Sequence, residues 1–269
     1  MPAAIRVIHP APALAVVVLS AALGAILLNQ AGMLLDGRWA LLVLSVAGSQ
    51  VFTGATNDVA DATRDAVAGR LEKPIPAGEL SVAAGRWIAA GGLTVQLLAS
   101  APLGMPALLF GTVASGSAAA YNLALSRTPF SPVPYLVSFG LLPLWIAAGL
   151  GLPLERVLPA VPLAAAFAAA AHLANTLRDW EADAATGSRS LAQVLGRRWT
   201  HLLAVALALT VGVALGVALL VSRASAPSLG LGTAGLTAIA VAASSERRLW
   251  ASLLVAAVAW TAAWGLSTG

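Results

Sequence analysis

Apolar stretches close to 20 residues recur from one end of this chain to the other, and no other feature constrains its fold as tightly. A helix of about 20 residues crosses the ~30 Å hydrocarbon layer of a bilayer. Inside that layer the backbone must satisfy its own polarity, which a helix does by itself. A membrane β-barrel would show alternating segments of about ten residues, and the sequence has none. Hydrophobic residues make up 59% of the chain and charged residues 10%, whereas a soluble domain carries about a quarter charged. The expected fold class is therefore all-α: one polytopic membrane domain over residues 1–269, with about nine transmembrane helices. The spans read as 12–33, 39–58, 82–101, 104–124, 133–151, 157–178, 199–221, 228–244 and 249–266. The opening 25 residues have the Arg, apolar run and small residues of a signal peptide, but with so many spans following they read as an uncleaved first helix.

Nine spans put the termini on opposite sides. One set of loops holds 12 of the 15 Lys and Arg residues, and the other only Arg38, Arg156 and Arg223. By the positive-inside rule the first set, with the N-terminus, faces the cytoplasm. The formal charge of +4 thus points to membrane orientation and not to a nucleic-acid partner. The absence of cysteine excludes disulfides and thiolate metal sites. The same cytoplasmic side holds every carboxylate except Asp36 and Glu155, a clustering the topology rule does not require. Two of its loops, about 59–81 and 179–198, are long, and loops of that length are disproportionately functional.

Both long loops open on the same spacing. Asn57-Asp58-x-x-Asp61-x-x-Arg64-Asp65 follows the second span, and Asn175-x-x-Arg178-Asp179-x-x-x-Asp183 follows the sixth. On a helix, positions i, i+4 and i+8 share one face and climb about 6 Å per step. Each motif is then a polar column that starts in the membrane and emerges at the cytoplasmic surface. Two facing acidic columns repel unless a cation joins them. Oxygen-only ligands suit Mg²⁺, which favours one or two carboxylates together with substrate phosphate. Two such columns can hold a diphosphate between metal ions, with Arg64, Arg70, Lys73, Arg178 and Arg189 on its remaining oxygens.

At these motifs the sequence resembles the UbiA superfamily of intramembrane prenyltransferases. NDVADATRDAVAGRLEKPIPAG (57–78) carries the family's first Asp motif and its Arg…Lys-Pro-Ile-Pro-x-Gly tail. NTLRDWEADAATGSRSLAQVLG (175–196) carries the second motif, and YNLALSRTPFSPVPYLVSFGLLPLW (121–145) is a weaker third match. The resemblance implies nine helices around a central cavity, with both motifs beneath a cytoplasmic cap made by the two long loops. It implies Mg²⁺-assisted ionisation of an allylic prenyl diphosphate and capture of the prenyl cation by a lipophilic, often aromatic, acceptor. Asn57, Asp61 and Asp65 would hold one metal, and Asp179 and Asp183 the other, with Tyr121 lining the cavity. Asn175 stands where many relatives carry a third acidic residue, which implies a weaker metal site or a neutral oxygen ligand there. Ser126-Arg127 stands where relatives commonly carry Lys-Arg.

Aromatic faces stabilise cations, and Tyr121, Tyr135, Phe139, Trp145 and Trp180 are candidates for that task. Trp39, Trp87, Trp199, Trp250, Trp260 and Trp264 read as an interfacial belt. His172 reads as a helix–helix hydrogen bond, His9 and His201 as structural, and Arg197, Arg198, Arg247 and Arg248 as topology determinants. Gly91-Gly92, Gly111 to Gly116, Gly212 and Gly216 read as close-packing positions. Two alternatives to prenyl transfer stand beside it: a UbiA-type terpene cyclase, and a non-enzymatic lipid-binding or transport protein that keeps the fold.

Overall fold

The computed structural model describes residues 1–185 and 187–267, and within them the regular structure is helical. A short turn, α1 (Ala3–Arg6), precedes α2 (Pro10–Gln30), α3 (Gly37–Val67), α4 (Val82–Ser100), α5 (Met105–Ala120) and α6 (Val133–Leu150). Then follow α7 (Ala160–Arg178), α8 (Trp180–Ala185), α9 (Leu191–Leu195), α10 (Arg197–Val221), α11 (Ala226–Ala242) and α12 (Glu246–Leu266). Nine of the described helices fall on the nine expected spans. Eight are long and apolar enough to cross a bilayer. The ninth, α11, has 17 residues, at the lower edge of the ~17–25 that span one.

Neighbours in sequence pack side by side from α2 to α7. The chain then passes through α8 and α9 to α10, which returns to α7, and α12 packs against α2 to close the ring. Two apolar cores fill it. One joins α7, α10, α11 and α12 around Leu173, Leu253 and Trp260. The other joins α2, α3, α5 and α6 around Leu28, Leu42, Trp145 and Ile146. A third, smaller cluster lies at the end of the bundle that carries the motifs. There Val7 of the N-terminal segment packs with Ala55, Ile75 and Ala89.

The main difference from the sequence reading is the length of α3. Its helix runs nine residues past the expected end of the span, so the first motif is wholly helical and the loop after it starts at 68. Hydropathy marks where a helix leaves lipid, not where it stops. The stop is a glycine signal: Gly69 has φ +69°, and the Arg70 N–H returns to the Asp65 carbonyl at 2.9 Å, the six-to-one bond of a Schellman cap.

The interior glycines separate into two groups. A Cβ on Gly92 would lie 2.7 Å from the Phe52 nitrogen and 2.8 Å from the Gly48 oxygen, so α3 and α4 touch backbone to backbone. Gly111 and Gly212 lie against the rings of Trp145 and Trp260, whereas Gly91, Gly116 and Gly216 face open space. Gly92→Leu is expected to cost about 1–3 kcal/mol through overpacking, while Gly91→Leu stays near neutral. Denaturation of the two variants in detergent checks the contrast. Trp260 departs from the expected belt: it is 6% exposed, and its indole N–H donates to the Gly232 carbonyl at 3.1 Å. Apolar packing against two glycine-bearing helices outweighs the interface preference there.

Candidate active site

The first motif lies on the last three turns of α3. Asn57 donates through Nδ2 to Asn122 Oδ1 at 3.3 Å, and Asn122 donates to the Thr53 carbonyl at 2.9 Å. Asn122 sits in a π-helical turn, Tyr121–Leu125, that ends α5; such turns are frequent at functional sites. Asp61 forms an ion pair with Arg64 one turn on. Asp65 is buried, with Lys73 Nζ at 2.6 Å from Oδ2 and Arg70 Nη1 at 3.7 Å from Oδ1. Asp58, between Asn57 and Asp61 in sequence, shares Lys73 with Asp65, at 3.0 Å, and also meets His9 at 2.9 Å.

The second motif crosses a break between helices. α7 ends at Arg178, Asp179 leaves helical geometry (φ −95°, ψ 14°), and α8 restarts at once. The column survives the break, because Asp179 N–H still donates to the Asn175 carbonyl at 3.1 Å and Asp183 N–H to the Asp179 carbonyl at 3.0 Å. Asp179 pairs with Arg178 at 3.3 Å. Asn175 Oδ1 is buried with no hydrogen-bond partner, an orphaned oxygen at the deepest position of the column.

The charges of the two motifs and their arginines influence one another. Burial and then the charge of Asp179 raise the Asp183 carboxyl above the usual range, against the pull of Arg127, Arg64 and Arg70. Burial opposes charge on Arg70, but its hydrogen bond to Glu72 and the charges of Asp65, Glu72 and Asp179 raise it overall. Arg70 thus pairs with Asp65 of one motif at 3.7 Å and feels the charge of Asp179 of the other. Arg70 itself donates to Glu72 at 2.9 Å. The Glu72 carboxyl is lowered, chiefly by its own backbone N–H and then by Arg70.

Next to the columns stands an aromatic group from α5, α6 and α7. The Tyr121 ring meets Tyr135 edge-on at 5.1 Å and His172 at 5.6 Å. Tyr135 lies 4.5 Å from His172 and stacks on Phe139 at 6.1 Å. His172 is hydrogen-bonded through Nε2 to Ser131 Oγ at 3.0 Å, and that oxygen also accepts the Leu191 N–H at 3.3 Å. The expected interhelical bond of His172 is therefore made to the loop before α6, which also anchors the start of α9. Trp145 belongs to the α2–α6 core instead. Trp180 packs on the other core beneath the Arg197 guanidinium at 5.6 Å.

The remaining basic residues lie on the end of α7, the segment between α8 and α9, and the start of α10. Arg189 donates its backbone N–H to the Arg127 carbonyl at 3.1 Å, and its side chain lines a groove with Ser188 and Gln193. Arg178 also lies over the Trp250 ring at 5.8 Å. Arg197, read from sequence as a topology determinant, clasps Glu181 of α8 at 2.9 Å and Glu246 of α12 at 3.0 Å. His9, Asn122 and Arg127 were not among the expected site residues. The pairing of Asn122 with Tyr121 in one motif, and the Arg kept beside Ser126, were the available signals.

Among the described residues no three His, Cys, Asp or Glu side chains converge closely enough to hold a metal ion unaided. The donor set still suits Mg²⁺, which takes one or two carboxylates and completes its shell with water and phosphate oxygens. The orphaned Asn175 oxygen and the carboxylates of both columns supply such donors, and basic side chains neutralise Asp61, Asp65 and Asp179 in the ion pairs given above.

The profile of the UbiA prenyltransferase family matches residues 17–260. No curated protein sequence matches the chain. Among solved structures, a UbiA homologue from Archaeoglobus fulgidus bound to GPP and Mg²⁺ superposes with a TM-score of 0.74 at 16% identity, covering 99% of each chain. An apo UbiA homologue from Aeropyrum pernix K1 gives 0.74 at 18% identity, over 93% of this chain and 96% of that one. A digeranylgeranylglyceryl phosphate synthase gives 0.73 at 15% identity, over 97% and 96%.

Proposed function

The chain belongs to the UbiA prenyltransferase family, and on that premise we propose that it binds an allylic prenyl diphosphate with Mg²⁺ and transfers the prenyl group to an aromatic or other electron-rich acceptor. The observation that carries this reading is the pair of oxygen-bearing columns of matched spacing, with the orphaned Asn175 oxygen in one and Arg70 pairing Asp65 of the other while feeling the charge of Asp179. Asn57, Asp61 and Asp65 on one side, and Asn175, Asp179 and Asp183 on the other, are the residues that would hold the metal. Bound there, Mg²⁺ stabilises the charge that gathers on diphosphate as the C–O bond breaks.

The chain's own side chains do the rest. Arg64, Arg70, Arg127, Arg178 and Arg189 hold diphosphate oxygens by charge-assisted bonds, strongest when the leaving group carries its full charge. Tyr121, Tyr135 and Phe139 offer ring faces to the developing prenyl cation. The surrounding apolar helices take the isoprenoid tail and keep water from quenching the cation. The bias of Lys and Arg toward one end of the bundle supports a site that opens to the cytoplasm, with the N-terminus on that side.

Purified protein in detergent, supplied with Mg²⁺ and geranyl, farnesyl or geranylgeranyl diphosphate, tests the reading. Diphosphate release is expected to be slow alone and to rise when an aromatic acceptor is added, with a prenylated product in the lipid extract. A cyclic hydrocarbon formed without acceptor would assign cyclase chemistry to the same site. Binding of diphosphate without turnover under any acceptor would instead favour a lipid-binding role.

A further inference from the structure

Lys73 is among the basic residues of the cap region, yet its ammonium is turned inward. It is held between the carboxylates of Asp58, at 3.0 Å, and Asp65, at 2.6 Å, with only 11% of its side chain exposed. Asp58 is fully buried, and its Oδ1 also takes a hydrogen bond at 2.9 Å from His9 Nε2. His9 belongs to the N-terminal segment, which is fixed on α3 by close packing. A Cβ on Gly54 would lie 2.4 Å from the Ile8 carbonyl oxygen, and Val7 is wholly buried. Arg6 of the same segment pairs with Glu79 at the far end of the loop that carries Lys73. Four side chains thus form one series, His9–Asp58–Lys73–Asp65, running from the N-terminal segment through α3 to the 68–81 loop and back to α3.

On α3 Asp58 and Asp65 are seven residues apart, which sets them within about 20° of each other around the helix, so one ammonium reaches both. His9 of the N-terminal segment meets Asp58 as well. Lys73 then occupies Oδ2 of Asp65, while Oδ1 faces the Arg70 guanidinium at 3.7 Å.

We propose that Lys73 is a positioning residue that fixes the Asp65 carboxylate for the metal, and that Asp58 and His9 hold Lys73 in place for that purpose. This rests on the reading of Asp65 as a metal ligand. A carboxylate whose second oxygen is tied to a buried ammonium presents its first oxygen in one orientation, and residues that orient a ligand in this way set metal affinity. A bond from Lys73 to diphosphate would need both ion pairs to break, leaving buried Asp58 with His9 alone and buried Asp65 with only the more distant Arg70, a costly exchange.

The test is Mn²⁺ binding to purified protein, followed by the loss of the free-ion EPR signal, alongside Mg²⁺ activation curves. Asp58→Asn and Lys73→Met are each expected to weaken Mn²⁺ binding about tenfold, the scale found when a ligand's supporting partner is lost. The Mg²⁺ needed for half-maximal turnover should rise in parallel. At saturating Mg²⁺ the KM for geranyl diphosphate should move much less, and Lys73→Arg should recover part of the metal affinity. If Asp58→Asn does not fold, His9→Ala probes the series from its outer end, where the imidazole is 37% exposed, and should shift Mn²⁺ binding in the same direction by less. Unchanged Mn²⁺ affinity in Lys73→Met with a raised KM for diphosphate would overturn the proposal and make Lys73 a diphosphate ligand. Wild-type protein that binds no Mn²⁺ and turns over no diphosphate would overturn the site reading, and the role of Lys73 with it.

Discussion

Asp61→Ala and Asp179→Ala should each lower Mg²⁺-dependent diphosphate release by at least about a hundredfold, the loss expected when one preorganised partner of a developing charge is removed. The two residues test the two columns separately. Asp61 lies within α3 and Asp179 at the break between α7 and α8, so no single local distortion accounts for the same loss in both. Neither side chain is deeply buried, at 24% and 45% exposed, so their removal leaves no cavity in either core. Each truncation also frees an arginine, Arg64 or Arg178, to meet diphosphate directly. Substrate binding should therefore fall less than turnover. Single-turnover release measured beside equilibrium binding of the diphosphate separates the two quantities. Turnover retained in both variants would remove the metal assignment from these columns.

Arg70→Met is expected to give the next largest loss, about 10- to 100-fold in kcat/KM, as hydrogen bonds to charged groups contribute about 1.5–3 kcal/mol. Arg70 pairs with Asp65 and Glu72 and feels the charge of Asp179, so it carries two tasks in one side chain. It offers a forked donor to diphosphate, and it screens two carboxylate groups from each other when no metal is present. Losing the first task raises KM. Losing the second leaves Asp179 and Asp183 less well neutralised, which should move the Asp183 carboxyl further up, because Arg70 is one of the three arginines that lower it. Lys in place of Arg keeps the charge but not the fork. Arg70→Lys should therefore restore the Asp183 titration more fully than it restores KM, and NMR titration of that carboxyl beside steady-state kinetics checks the difference.

The spans were legible because each is a run of apolar residues long enough to cross lipid, and that signal depends on composition alone. Where the helices end was less so. Residues 59–67 carry charge and no glycine or proline, so hydropathy marks them as outside the membrane while their backbone continues the helix to the Gly69 cap. The acidic columns were legible from spacing, and the structure keeps that register on α3 for the first and across the α7–α8 break for the second. What spacing did not report is which partner each carboxylate meets. Asp58 and Asp65 lie inside the first motif but belong to a buried series that also takes in His9, 49 residues before Asp58, and Lys73 of the following loop. Such pairings depend on how a loop and a terminus return to the helix, and no local pattern encodes that. Trp260 shows the same limit, since two glycines on other helices turned a residue with an interfacial signature into a core residue.

The reach of α3 has a consequence for how substrate concentration should be counted. Its 31 residues extend about 46 Å at 1.5 Å per residue, against about 30 Å of hydrocarbon. Counted along the helix axis from Gly37, the hydrocarbon thickness is used up near Asn57, and the acidic turns stand beyond it. A prenyl diphosphate lying in the leaflet, with its tail among acyl chains and its headgroup at the surface, already sits at the depth of these residues. It reaches them by lateral diffusion, without passing through water. The relevant concentration is then moles per area of membrane. Longer prenyl chains partition more completely into the bilayer, by about 0.8 kcal/mol for each buried methylene. An apparent KM expressed per litre should fall with chain length for that reason alone, while the same constant expressed per lipid should stay nearly level.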